Sequence, residues 1–166
     1  MIVLGIDPGL NTTGYGVLDF ASGQPKLVEA GVVRGKARVP LAERVHEVHD
    51  GVADVIATLS PEVMAIEELY SHYERRTTAI LMGHARGVIL LAAAEAGISV
   101  ESYPATLIKK TITGNGHAAK WQMQEAIRRE LNLPQVPEPP DVADALAIAL
   151  CHCYLGARGL GLGTRG

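Results

Sequence analysis

A mixed five-stranded sheet covered by helices on both faces is the α/β fold this chain predicts, and three observations predict it. Three strand-like segments come first, helical and strand-like segments then alternate, and the apolar spacing changes from two residues to three or four as they do. Ile2-Val3-Leu4-Gly5-Ile6 is the first strand, an unbroken apolar run ending in Asp7 and closed by Pro8-Gly9. Side chains alternate along a strand, so Val3, Gly5 and Asp7 share one face while Ile2, Leu4 and Ile6 share the other. Gly5 stands two residues before the acid and predicts room beside it for a ligand or a phosphate. An ordinary β-turn over Asp7-Pro8-Gly9 is the competing reading.

The remaining elements follow in order. Residues 15–20 and 27–33 are short, apolar and β-branched, split by Ser22-Gly23-Gln24-Pro25, and extend the first strand into a meander. Leu41, Val45, Val48, Val52, Val55, Ile56 and Leu59 recur at three and four residues, which predicts an amphipathic helix entered after Pro40 and stopped by Ser60-Pro61. Val63-Met64-Ala65-Ile66 is the next strand, ending in Glu67. A long helix over 76–96 is apolar around much of its circumference, and residues 98–101 form the fifth strand. Helices over 106–112 and 118–131 flank a flexible Gly114-Asn115-Gly116. Pro137, Pro139 and Pro140 force an extended stretch before a last helix over 141–154.

At 166 residues with 48% hydrophobic residues, the chain predicts one domain over 1–155 and a glycine-rich, disordered tail over 156–166. A net charge of −3 excludes a protein that coats nucleic acid with its whole surface, so any polyanion must meet a local patch. Strand-like residues from Ile2 without a basic segment predict no leader, and His84 and Arg86 interrupt the most apolar window, which predicts no membrane span. Cys151 and Cys153 read as reduced core thiols in a cytoplasmic protein. His46, His49, His84 and His152 read as structural, and Trp121 as core.

The chemistry lies in acids far apart in sequence. Asp7 and Glu67 each end a strand, and they meet at one edge if the strands are neighbours. Asp141 and Asp144, three residues apart, share one face of the last helix's first turn. Helix capping is the competing reading for that pair, worth roughly 0.5 to 1 kcal/mol each. Small apolar residues from Ala143 onward nevertheless let the helix lie close to the sheet and carry its acids to the strand ends. Four converging carboxylates need cations to stay charged. Oxygen-only donors suit Mg²⁺, with Mn²⁺ as substitute, and two such ions about 4 Å apart serve phosphodiester hydrolysis. The stretch Tyr70-Ser71-His72-Tyr73-Glu74-Arg75-Arg76 combines aromatics that stack on unpaired bases with arginines that meet phosphate. Lys109, Lys110, His117 and Lys120 read as a cationic patch.

Gly5-Ile6-Asp7-Pro8-Gly9 with Thr13-Gly14-Tyr15-Gly16, then Ala65-Ile66-Glu67, then Asp141-Val142-Ala143-Asp144 and its small apolar continuation, resemble the RuvC-type Holliday junction resolvases. These bacterial crossover junction endodeoxyribonucleases have a ribonuclease-H-like fold. The resemblance implies that Asp7, Glu67, Asp141 and Asp144 are the catalytic, metal-binding tetrad, although some relatives carry histidine at the position of Asp141. It implies that Tyr70 acts near the cut and that Lys109 and Lys120 face DNA. It also implies a homodimer that resolves four-way junction DNA by paired symmetric nicks in recombination and repair, alongside a branch-migration helicase. Residues 76–96 are the candidate dimer contact, with burial in the monomer's own core as the competing reading. Two alternatives remain at this stage: a non-catalytic junction-binding protein, and a phosphate-binding domain of actin-like or sugar-kinase type, which Asp7-Pro8-Gly9 with Thr12, Thr13 and Gly14 also resembles.

Overall fold

A computed structural model describes residues 1–69 and 76–157. The expected loop residues Tyr70 and Arg75, and the tail beyond 157, lie outside the described residues.

The strands are β1 (Ile2–Asp7), β2 (Thr12–Asp19), β3 (Lys26–Arg34), β4 (Val63–Glu67) and β5 (Ser99–Tyr103). They form one mixed sheet in the order β3-β2-β1-β4-β5. The first three pair antiparallel, whereas β1 with β4 and β4 with β5 are parallel. The helices are α1 (Leu41–Leu59), α2 (Arg76–Glu95), α3 (Ala105–Thr113), α4 (Lys120–Glu130) and α5 (Pro140–Ala157). Helices cover both faces, as the alternation of elements predicts, because each parallel connection must cross over the sheet.

Two cores result. Leu4, Ile6, Met64 and Ile66 pack with Val48, Val52 and Ile56 of α1 and Ala85, Ile89, Ala92 and Ala93 of α2. On the other face Val3, Val63 and Ala65 pack with α5 and with Ile108, Met123 and Ile127 of α3 and α4. Cys151 and Cys153 are buried free thiols of that second core. Tyr103 and His152 are hydrogen-bonded there, Oη to Nδ1 at 2.7 Å, and burial holds the imidazole below its usual pKa. His152 is thus structural, as expected.

Glycine sets how closely α5 approaches. A Cβ on Gly5 would collide with the backbone of Ala145 and Ala149, one on Gly14 with that of Asp141, and one on Gly16 with Leu146. The space beside Gly5 is therefore filled by a helix, and the expectation of a ligand there is corrected. The loop at Gly114-Asn115-Gly116 is also more tied than its glycines suggest: Asn115 Oδ1 accepts from the His117 N–H at 2.9 Å.

α2 buries only part of its apolar surface. Ile80 is 61% and Leu91 49% exposed. By length and composition alone the helix could cross a membrane, but Ala85, Ile89, Ala92 and Ala93 belong to the core beside α1.

Candidate active site

β1 and β4 are direct neighbours, with Ile6 paired to Ile66, so the next residue of each, Asp7 and Glu67, ends its strand at the same edge. Alternation places both on the α5 face, with Val3 and Gly5 before one and Val63 and Ala65 before the other. Glu68 is exposed. α5 starts at Pro140, so Asp141 lies within the first turn and is not the residue ahead of it that capping would require. Glycine at position 14 admits the backbone of Asp141 against β2. Since Asp7 pairs with Gly14, the helix start arrives directly beside the strand-end acids.

Asp7, Glu67 and Asp144 line one cavity of about 190 Å³, together with Lys109, Lys120 and an apolar wall that includes Ile108 and Met123. Asp141 stands at its margin, near enough for its charge to act on Asp7 and Asp144. α3 supplies Lys109 directly after β5. Lys120 is fixed in the first turn of α4, where Gln122 Oε1 accepts the Ala119 N–H at 2.8 Å. Lys120 Nζ reaches Asp144 Oδ2 at 3.4 Å. Among the described residues no three of the acids, histidines and cysteines already close around one point; the acids share a cavity, with Asp144 turned toward Lys120.

The electrostatics record this crowding. Burial, then the charges of Asp144, Asp141 and Glu67, push Asp7 up to about 8 against some relief from Lys120. Glu67 is raised by burial and by Asp144, and Lys109 opposes the shift. Asp144 is raised chiefly by burial, and Lys120 pulls it back. A cavity that holds carboxylates against their preference for water, faced among the described residues by Lys109 and Lys120, is short of positive charge. Its donors are hard oxygens, which fit Mg²⁺-like cations and not zinc. The residues present therefore fit a divalent metal.

Arg76 is exposed at the first position of α2 and does not line the cavity. Trp121 corrects the sequence expectation: it is 69% exposed in the first turn of α4. Met123 and Ile127 point that helix inward and leave Trp121 on its outer side. Sequence reading also passed over the density of cations in Arg34-Gly35-Lys36-Ala37-Arg38, which the fold brings to the same edge as Asp7.

Residues 3–152 match the family described as Crossover junction endodeoxyribonuclease RuvC. A crossover junction endodeoxyribonuclease of Rhodopirellula baltica is 56% identical over 153 residues, which are 92% of this chain and 86% of that protein. The structure of Thermus thermophilus RuvC superimposes with a TM-score of 0.88 at 37% identity, covering 96% of this chain and 97% of that one. A second structure, of T. thermophilus RuvC in complex with Holliday junction substrate, gives 0.87 at 35% identity, with 96% of each chain covered.

Proposed function

This chain belongs to the RuvC family of crossover junction endodeoxyribonucleases, and from that premise we propose how its residues resolve Holliday junctions. It is an endonuclease of ribonuclease-H-like fold acting on four-way DNA junctions in recombination and repair, and the family is metal-dependent. The observation that carries the reading is the gathering of Asp7, Glu67 and Asp144 in one cavity faced by Lys109 and Lys120.

Asp7, Glu67, Asp141 and Asp144 are the residues we assign to holding the metal, as two Mg²⁺ ions for which Mn²⁺ can substitute. Such ions supply an activated water and charge stabilisation at the departing oxygen. Asp7 and Glu67, on paired strands, define the rigid side of the site. Asp141 and Asp144 complete it from the start of α5. Lys109 and Lys120 place ammonium groups opposite the acids, where they draw the phosphate into the cavity and offset its repulsion by the carboxylates. Tyr70, Arg75 and Arg76 follow β4 in sequence, and we assign them to the DNA beside the cut.

Lys109→Ala and Lys120→Ala are each expected to weaken junction binding several-fold and to reduce its salt slope by about 1. Titration of a labelled junction at several salt concentrations measures this; equal affinity at every concentration would remove the lysines from the DNA side. A synthetic four-way junction incubated with Mg²⁺ should be cut, and EDTA should stop the cutting. Binding without any cleavage would instead favour the non-catalytic alternative. The actin-like and sugar-kinase alternative needs two domains around a nucleotide, whereas the family match runs through nearly the whole chain.

One site makes one cut and a junction needs two, so a twofold dimer suits a twofold substrate. We assign the contact to the outer face of α2, where Ile80 and Leu91 are exposed. Sedimentation should show a dimer that Ile80→Asp with Leu91→Asp splits; a single-chain species at every concentration would exclude pairing. Assembly with a branch-migration helicase and a cytoplasmic location, in keeping with two buried free thiols, complete the proposal.

A further inference from the structure

We propose that residues 34–44 form a second DNA-phosphate surface, on the opposite flank of the carboxylates from Lys109 and Lys120; the inference rests on the junction-cleaving reading.

This segment carries Arg34, Lys36, Arg38 and Arg44 against one acid, Glu43, in a chain whose net charge is −3. Strand pairing fixes its place. Asp7 pairs with Gly14 of β2, and Thr12, two residues nearer the edge, pairs with Arg34 of β3. Arg34 is thus two strands over from Asp7, about 10 Å sideways at the usual strand spacing. Alternation puts it on the face of Val32 and Ala30, which pack against the α5 core. That face is also the one carrying the four acids.

The following loop is built against the turn that leaves Asp7. The Gly35 N–H donates to the Asn11 carbonyl at 3.2 Å. Arg44 Nη2 donates to Asn11 Oδ1 at 2.7 Å. Glu47 accepts the Lys36 N–H at 2.6 Å and pairs with its ammonium at 3.6 Å. Arg38 is held at φ 68°, a conformation uncommon outside glycine. Arg34, Lys36 and Arg38 are exposed, and among the described residues no carboxylate pairs with Arg34, Arg38 or Arg44.

Along the sheet edge the order is therefore lysines of α3 and α4, Glu67, Asp7, the start of α5, and then Arg34 with its loop. Acids that must receive a phosphodiester lie between two cationic banks. A backbone crossing the cavity finds positive charge before and after the cut, which lets an acidic protein hold DNA against its own carboxylates. The ligand is the sugar-phosphate chain, read by charge and not by base.

Junction binding by the full chain without divalent cation, from about 50 to 200 mM salt, tests this. Arg34→Ala with Arg38→Ala should weaken binding at least about tenfold and reduce the slope of log K against log salt by about 2. Melting temperature and the cleavage rate at saturating junction should stay as in the parent, and the double glutamate variant should weaken binding further. Lys26→Ala, exposed at the other end of β3, should change nothing. Unaltered affinity and slope in both double variants, while the parent still binds and cuts, would overturn the second surface alone. A parent that neither binds nor cuts the junction would overturn the functional reading with it.

Discussion

Asp7→Asn is expected to lower junction cleavage by about a thousandfold or more, some 4 kcal/mol of transition-state stabilisation, and at the same time to make the metal-free protein more stable. The sign follows from its ionisation. An ordinary aspartate titrates near 3.8, whereas Asp7 in the fold is pushed up to about 8 by burial and by Asp144, Asp141 and Glu67. The folded state thus binds this proton more tightly than the unfolded chain does. The stability it confers is full below about pH 4 and is lost as pH rises toward 8. The parent should therefore weaken steadily across that window, and the asparagine variant should weaken less, since burial still raises Glu67 and Asp144. A shift of that size corresponds to about 5 kcal/mol at pH 8; because the Asp7 side chain is only half-buried, solvent screening reduces the expected difference to the order of 3 kcal/mol, or roughly 6 to 12 °C in melting temperature. Thermal melts of both proteins at pH 5 and 8, with EDTA, measure it, and junction cleavage in Mg²⁺ measures the other half. Undiminished turnover would remove Asp7 from the chemistry, and parallel melting curves would show that its carboxylate carries no strain.

Gly5→Val should be the most damaging change that touches no charge. The new side chain meets backbone atoms of Ala145 and Ala149, and backbone on both sides of a close contact cannot step aside as a flexible side chain would. Loss of about 4 kcal/mol is expected, at the upper end for a single substitution. Any folded remainder should also cleave poorly, because α5 pushed off β1 carries Asp144 away from Asp7, and a shift of about 1 Å can reduce rate by ~100-fold. Gly5→Ala should fall between the two proteins. Urea unfolding midpoints give the stability series, and a valine variant as stable as the parent would show that α5 does not depend on that contact.

The sequence made the strand-end acids legible because a strand's alternation is rigid: once β1 and β4 were neighbours, Asp7 and Glu67 had to share an edge and a face. The small residues of α5 also announced a closely packed helix. The sheet's share of that closeness was hidden, since a glycine that admits a helix and one that admits a ligand are the same letter. Trp121 misled for a related reason. A lone tryptophan favours burial on average, but the inward face of α4 was already taken by Met123 and Ile127. The cations of residues 34–44 follow no spacing that singles them out, and only strand order puts Arg34 at Asp7's edge.

The assigned carboxylates divide between β1 and β4 on one side and the first turn of α5 on the other, far apart along the polypeptide. The helix that brings Asp141 and Asp144 to the strand-end acids also covers one face of the sheet, seated on Gly5, Gly14 and Gly16. A disturbance at that glycine seam should therefore reach the chemistry and the fold together.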